Sequence, residues 1–273
     1  MYLRSCYLYE KYWNLNTLPF ENVPDPRFLY RSEKHEEALM RLVYAAQTQK
    51  GAAMLTGNIG CGKTTTCRTF IQSLPVSEYE IGLIANPMLS PIDFLSEILY
   101  QLGSQKNADT KTELIHLLNE EILNNLENGK KTLLIIDEAQ AIENNSTLEE
   151  LRLLLNFQLN DRFLLTLILI GQPELLEHVA KLKQLDSRIS IRYHLSPFEL
   201  EDTREYIIFR LKIAGIKRDI ITPDAIEKIH TYSGGVPRNI NNICDLCLLI
   251  GFSIKSTLID SQIVEKVIHD RGK

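Results

Sequence analysis

Apolar residues follow two spacings along the first two thirds of the chain, and each spacing predicts a different element. Short runs that are almost wholly apolar, such as 132–136, are typical of strands buried on both faces of a sheet. Segments with apolar positions three and four residues apart, such as 32–49, predict amphipathic helices. The predicted strands are 52–56, 79–85, 132–136, 163–170 and 190–195, and the predicted helices are 32–49, 63–74, 91–102, 110–126, 147–158 and 173–181. Because these elements alternate, we expect an α/β fold with a parallel five-stranded sheet and helices on both faces.

Beyond Pro197 the pattern changes to helical spacing alone. It predicts four helices, at 199–214, 223–232, 237–251 and 260–269. We interpret this part as a small all-helical domain that follows the sheet domain. The predicted division is therefore an N-terminal segment with the first helix at 1–50, the α/β domain at 51–197 and the helical domain at 198–273.

A glycine-bearing loop follows the first predicted strand and leads into a helix. Residues 57–64 fit the phosphate-binding pattern of glycine, four residues, glycine, lysine, and serine or threonine. Glycines let backbone N–H groups converge on phosphates, and the helix that follows directs its positive end at them. Lys63 adds positive charge, and the Thr64 hydroxyl can ligate Mg²⁺. The predicted phosphate-binding residues are Gly57, Asn58, Ile59, Gly60, Cys61, Gly62, Lys63, Thr64 and Thr65.

Two carboxylates close the apolar strand at 132–136. Asp137 stands at the carboxyl end of a central strand, where ligands bind in such sheets, and it can hold Mg²⁺ through water. The neighbouring Glu138 can polarise an attacking water molecule. After the strand at 163–170, Gln172 is the best-placed polar side chain to sense a γ-phosphate, although Gln172-Pro173 is also an ordinary helix start.

Arginines complete the candidate site, because guanidinium groups neutralise charge spread over phosphoryl oxygens. Arg188 precedes the last predicted strand and is our candidate for a side chain that reaches the site of a neighbouring subunit, with Arg192 as the alternative. Arg238 opens a helix of the helical domain, and the preceding Gly234-Gly235 indicates a shaped backbone there.

The five cysteines are scattered along the chain, so we expect no structural disulfide. Cys244 and Cys247 have the spacing of a metal or redox pair, but nothing completes such a site, and we predict that they pack in the core. Cys61 lies in the loop before a helix, a position that favours a reactive thiol. Alkylation of Cys61 is therefore expected to block nucleotide binding.

Composition narrows the class of protein. The chain is 44% hydrophobic, which excludes an intrinsically disordered protein. Its formal net charge of −5 lacks the excess of basic residues that is typical of a general nucleic-acid binder. A local basic face that binds DNA stays open. The longest apolar run, 163–171, is about half of the roughly 20 residues needed to cross a bilayer. With no transmembrane segment and no signal peptide in the pattern, we expect a cytoplasmic protein.

The motifs together resemble those of a known family. The loop, the Asp137-Glu138 pair, Arg188 and the run at 234–238 are similar to those of the AAA+ ATPases, and more closely to the ExeA/GspA-type secretion ATPases. The further segments that carry this resemblance are 12–15, 18–20, 24–30, 35–39, 55–57, 62–68, 171–175 and 235–242. They cover almost the whole chain.

The resemblance implies a P-loop fold with a helical lid and the hydrolysis of ATP with Mg²⁺. Lys63 and Thr64 would then contact phosphate and magnesium, Asp137 and Glu138 would be the Walker B pair, Arg188 the finger, and Arg238 the lid sensor. Because AAA+ active sites lie between subunits, it also implies a homo-oligomer, a ring or a filament.

Three classes of biological role stay open. The family resemblance favours an ATPase that assembles or remodels secretion or pilus machinery, peripheral to the inner membrane through a partner. ExeA-type proteins continue past the ATPase into a membrane span and a peptidoglycan-binding region, whereas the sequence ends at Lys273. The alternatives are a DNA-assembled transposition regulator of the TniB/TnsC/MuB kind and a slow nucleotide-dependent switch.

Overall fold

The computed structural model describes residues 6–142 and 144–271, and a five-stranded sheet forms the centre of its α/β part. The strands are β1 (Ala52–Gly57), β2 (Tyr79–Ile84), β3 (Lys131–Ile136), β4 (Leu165–Gly171) and β5 (Ile189–Leu195). They lie in the order β2-β3-β4-β1-β5, and every neighbouring pair is parallel. The predicted α/β class and parallel five-stranded sheet are confirmed.

The three inner strands are buried on both faces. Every residue of β1 and β4 is buried, and so is every residue of β3 after Lys131. Because successive side chains of a strand point to opposite faces, this burial means that helices cover the sheet on both sides. The edge strand β5 is buried at its two ends and more exposed between them.

Twelve α-helices lie within the described ranges. They are α1 (Cys6–Trp13), α2 (Glu33–Thr48), α3 (Lys63–Ser73), α4 (Pro91–Gln101), α5 (Lys111–Glu127), α6 (Asn145–Leu154), α7 (Glu174–Lys181), α8 (Lys183–Asp186), α9 (Leu200–Ile213), α10 (Pro223–Ser233), α11 (Pro237–Ser253) and α12 (Ser261–Arg271). Of the helices in the described part of the chain, none combines the length and apolar character that a bilayer crossing needs.

Helix α6 ends four residues before the predicted bound at 158. The chain turns back there, because Gln158 and Phe163 pair in antiparallel fashion and the Leu159 N–H donates to the Arg162 carbonyl oxygen at 2.8 Å. The turn carries Asn160 and Asp161, residue types that favour turns over helix continuation. For the same reason β4 begins at Leu165 rather than at Phe163.

The chain divides into two compact units. One consists of residues 33–59 and 66–195, and it contains the sheet. The other brings together residues up to 32, residues 60–65 and residues from 196 onward. The domain boundaries that we predict from the sequence, 1–50, 51–197 and 198–273, stay a prediction.

In the helical unit, the N-terminal segment packs with the last helices. The indole of Trp13 is 1% exposed and donates to the Leu248 carbonyl oxygen at 2.9 Å. The buried guanidinium of Arg210, on α9, donates to the carbonyl oxygens of Pro19 and Glu21. These contacts tie residues distant in sequence into one apolar core, so α1, which the sequence pattern did not predict, belongs to this unit.

Candidate functional site

The loop after β1 has a shape that requires glycine. Gly60 and Gly62 have φ values of +83° and +94°, a region that L side chains rarely adopt. A Cβ on Gly57 would lie 2.6 Å from the Leu195 carbonyl oxygen. Helix α3 begins at Lys63, and the first N–H groups of a helix have no partner within it. A loop of this form presents backbone donors that suit phosphate oxygens.

Arg238 lies against this loop at the start of α11. Its backbone N–H donates to the Gly60 carbonyl oxygen at 3.2 Å, and a Cβ on Gly60 would lie 2.7 Å from the Arg238 Cβ. The turn before α11 is shaped by Gly235, at φ +70°, where a Cβ would lie 2.0 Å from the Phe198 carbonyl oxygen. The structure therefore brings the predicted lid sensor to the predicted phosphate-binding loop.

Replacing Gly60 by alanine is expected to reduce both stability and ATP affinity. The added Cβ would lie too close to Arg238, and alanine would also have to adopt a left-handed backbone conformation. The backbone conformation alone costs about 1–3 kcal/mol of folding free energy. We expect at least about a tenfold loss of ATP affinity, because the backbone donors of the loop shift. Thermal unfolding and fluorescent-nucleotide titration measure the two effects.

Gly129→Ala is the matched control for this substitution. Gly129 has φ +73°, but nothing lies within 4 Å of its added Cβ, so the variant carries the backbone cost without the contact. We expect Gly129→Ala to lower the melting temperature less and to bind ATP as the wild type does. Equal behaviour of the two variants in both assays would contradict a close approach of Arg238 to Gly60.

The two predicted carboxylates follow β3 directly. Asp137 is 6% exposed, and its Oδ1 accepts from the Glu138 N–H at 2.9 Å. Glu138 is half-buried and has a φ of +52°, which is uncommon for a residue with a side chain. Burial, and after it the charge of Asp137, raises the pKa of the Cys67 thiol on α3. Cys67 thus stays a neutral thiol beside a carboxylate.

The donor set fits a magnesium ion. A threonine hydroxyl at the start of α3 and a carboxylate at the end of β3 are hard oxygen ligands of the kind that Mg²⁺ takes together with water and substrate phosphates. Thr64 and Asp137 are the residues predicted to hold it, and this assignment stays a prediction. A side chain at Gly60 would meet Arg238 and Val236, so the close approach of these residues to the loop requires glycine there.

Gln140 joins the carboxylate of Glu138 to the end of β4, and the sequence analysis missed it. Its Nε2 donates to Glu138 Oε2 at 2.6 Å, and its Oε1 accepts from the Gln172 backbone N–H at 3.0 Å. The side chain of Gln172 reaches the same Glu138 oxygen at 3.4 Å. The available signal was a polar residue two positions after Glu138, directly behind a buried strand, but spacing alone does not show its partners.

Gly57, Asp137 and Gln172 lie at one edge of the sheet. β1, β3 and β4 are parallel neighbours in the order β3-β4-β1, so their carboxyl ends meet at the same edge. Ligands bind outside this edge in open α/β sheets.

Arg188 lies immediately before β5, at the amino-terminal ends of the strands and therefore on the side of the sheet opposite Gly57, Asp137 and Gln172. Residue 189 pairs with Ala52 at the start of β1, and the guanidinium of Arg188 donates to the Leu155 carbonyl oxygen and to Asn156 Oδ1, both at 2.8 Å. The alternative, Arg192, lies within β5 and donates to the carbonyl oxygen and a carboxylate oxygen of Asp186. Both arginines therefore bind residues of their own chain.

Cys244 and Cys247 have apolar surroundings. Cys244 and Cys247 are buried in the core of the helical unit, and burial raises the pKa of both thiols, that of Cys247 to about 12. Among the described residues no group of three or more His, Cys, Asp or Glu side chains could hold a metal ion. Cys61 is only 1% exposed, so a thiol reagent has little access to it, and its predicted alkylation effect stays a prediction.

One family model and a curated relative match most of the α/β part of this chain. A family model described as an AAA domain matches residues 46–179. The general secretion pathway protein A of Aeromonas hydrophila is 42% identical over 250 residues, which are 90% of this chain and 45% of that protein. The chain therefore spans less than half the length of this relative.

Solved structures agree on the fold. The ORC2 protein of Aeropyrum pernix has a TM-score of 0.70 at 16% identity, with 93% of this chain and 71% of that chain covered. The RuvB Holliday junction branch migration motor of Thermotoga maritima has a TM-score of 0.58 at 21% identity, with 86% and 68% covered. At these identities the likeness extends to the fold alone.

Proposed function

The chain belongs to the AAA+ ATPases of the general secretion pathway protein A type, and from this membership we propose that it binds ATP with Mg²⁺ and hydrolyses it. In the proposed reaction a water oxygen attacks the γ-phosphorus of ATP, and the bond between that phosphorus and the β–γ bridging oxygen breaks. The products are ADP and inorganic phosphate. Most of the acceleration would come from positioning and from neutralised charge.

One observation carries this proposal. The strand before the glycine loop and the strand before Asp137 and Glu138 flank β4, and all three end at the same edge of the sheet. Phosphate-binding backbone, magnesium-binding oxygen and a base for water are the groups that the reaction requires. Their residues follow strands that end together, which supports a hydrolytic site rather than a binding site alone.

Each predicted residue has a role in this proposal. The loop residues Gly57 to Thr65 cradle the phosphates, with Lys63 contributing charge. Thr64 and Asp137 hold the magnesium ion, which when bound neutralises phosphate oxygens. Glu138 takes the proton of the attacking water, Gln172 senses the γ-phosphate, and Arg238 neutralises charge on the phosphates. Arg188 acts on the phosphates of a neighbouring subunit, with Arg192 as the alternative.

We further propose that hydrolysis drives assembly or remodelling of a partner complex, as part of secretion or pilus machinery. The 42% identity to a general secretion pathway protein A supports this role. The protein would work as a homo-oligomer in the cytoplasm, at the inner membrane only through its partner.

Steady-state ATP turnover against protein concentration, with and without long double-stranded DNA, tests the proposal. Lys63→Ala serves as the blank, because it removes the lysine of the loop. We expect magnesium-dependent turnover per subunit that rises with protein concentration as oligomers form and is indifferent to DNA. Turnover equal to that of the Lys63→Ala blank under all conditions would overturn the proposed hydrolysis.

Two other results would redirect the biological role. Turnover that rises with DNA and falls steeply with salt would favour the transposition-type regulator, because phosphate contacts release counterions. Tight ATP binding with a single slow turnover would favour the nucleotide-dependent switch. Neither of these two results would change the assignment of the nucleotide site.

A further inference from the structure

The turn that carries Gln140 is fixed on both sides. Glu138 adopts a left-handed backbone, and the Ala141 N–H donates back to its carbonyl oxygen at 2.8 Å. Residues Ala139–Ala141 form one short 3₁₀ turn, closed by the Ile142 N–H on the Ala139 carbonyl oxygen at 3.2 Å. Ala139, the first residue of this turn, is fully buried. The backbone of Gln140 therefore has a defined position relative to both β3 and β4.

The orientation of the Gln140 amide follows from its partners. The backbone N–H of Gln172 can only donate, so the atom that faces it at 3.0 Å is the carbonyl oxygen of the amide. The amino group then faces Glu138, whose carboxylate can only accept when ionised. Each end of the amide meets a partner of the opposite kind, and a charged acceptor makes the 2.6 Å contact the stronger of the two.

The chain leaves room for this side chain at Gly171. A Cβ on Gly171 would lie 2.7 Å from Gln140 Oε1 and 2.9 Å from Leu175 Cδ2. Gly171 is the last residue of β4, and its φ is not in the left-handed region, so the close approach of the Gln140 and Leu175 side chains is what favours glycine here.

We propose that Gln140 is a positioning residue, which holds the Glu138 carboxylate in the orientation needed to take a proton from the attacking water. Both described hydrogen bonds to this carboxylate, from Gln140 and from Gln172, go to Oε2. In this assignment Oε1 is the oxygen that accepts the proton. This assignment rests on the proposed ATP hydrolysis and names the residue on which its general base depends.

Gln140 makes a shorter hydrogen bond to Glu138 than Gln172 does, and is therefore the residue that we assign to this role. The Gln140 contact to Glu138 is 2.6 Å, whereas that of Gln172 is 3.4 Å, near the limit for a hydrogen bond. Gln140 also contacts the backbone of residue 172 rather than its side chain. Substituting Gln172 therefore leaves the main support of Glu138 in place.

Two substitutions of Gln140 test this, with Gln262→Met, at an exposed glutamine in the first turn of α12, as the matched control. Gln140→Met keeps the length of the side chain and removes both hydrogen-bonding groups. Gln140→Glu keeps an acceptor for the Gln172 N–H but sets a carboxylate against that of Glu138. We expect both variants to lower kcat by about 10–100-fold, as a misplaced catalytic group does, with KM for ATP within about twofold of the wild type. Gln262→Met is expected to keep kcat within about twofold of the wild type, as is usual for surface substitutions.

Nucleotide titration and thermal unfolding accompany the kinetics. A wild-type kcat in Gln140→Met would overturn the assignment, and so would a loss in which kcat is unchanged and only KM rises. Should Gln140→Met fail to fold, Gln140→Glu carries the same comparison, because it preserves the contact to the backbone of β4. A wild-type chain without Lys63-dependent turnover would instead overturn the proposed hydrolysis itself, which separates the two failures.

Discussion

The Glu138→Gln variant is expected to bind ATP and to turn it over at least about 100-fold more slowly than the wild type, the usual loss when a general base is removed. Glutamine has the size of glutamate, but its amide cannot accept the proton of the attacking water. Binding persists because the groups predicted to hold the phosphates, the loop amides and Lys63, are unchanged. The variant should therefore accumulate in its ATP-bound form.

Fluorescent-nucleotide titration and single-turnover hydrolysis separate the two effects. Glu174→Gln is the matched control, since Glu174 is an exposed carboxylate at the start of α7 and loses the same charge. We expect its turnover to stay within about twofold of the wild type, as is usual for surface substitutions. Turnover of Glu138→Gln at the level of this control would remove Glu138 from the role of base.

The inner strands β1, β3 and β4 could be predicted because they are apolar at almost every position. In a run such as 132–136, apolar side chains point to both faces of the strand, so both faces have to be buried. Turn residues or a loop motif separate these runs from the helices. The helix ends were harder to predict. Helix α6 stops at Leu154 because the segment after it pairs with itself, and an apolar periodicity that continues to 158 does not reveal such a turn.

Motifs written in consecutive residues were visible, whereas contacts made by folding were not. The loop at 57–64 and the pair Asp137-Glu138 are defined by spacing along the chain. The hydrogen bond between the Gln140 side chain and the backbone of Gln172 joins two residues 32 positions apart, and no local pattern encodes it. The same holds for Arg210, which holds the segment around Pro19 from a helix far away in sequence.

The position of Arg188 restricts what it can do. It precedes β5, whereas the carboxylates and the glycine loop follow the ends of β3 and β1. The seven residues of β5 rise about 20 Å from one edge of the sheet to the other, which is beyond the reach of an arginine side chain. If Arg188 acts on a phosphate, that phosphate belongs to a neighbouring subunit.

Arg188→Ala is therefore expected to lose turnover by about 10³-fold or more, as loss of an arginine finger does, and to be rescued in mixed oligomers. A Lys63→Ala subunit supplies an intact Arg188, and the Arg188→Ala subunit supplies an intact loop. With random equal mixing about one quarter of the interfaces pair these two correctly, so we expect about one quarter of the wild-type turnover from two inactive proteins.

Rescue also distinguishes catalysis from folding. Arg188 donates to Leu155 in a partly buried hydrogen bond and to Asn156 in an exposed one, so its removal costs about 1–3 kcal/mol of stability through the two lost hydrogen bonds. A subunit that is inactive only because it unfolds contributes no working loop to a mixture, and mixing then restores nothing. Arg192→Ala is the matched control, because it also removes an arginine bound to its own chain, at Asp186. If Arg192→Ala is the variant that mixing rescues while Arg188→Ala retains its turnover, Arg192 is the residue that reaches across the interface.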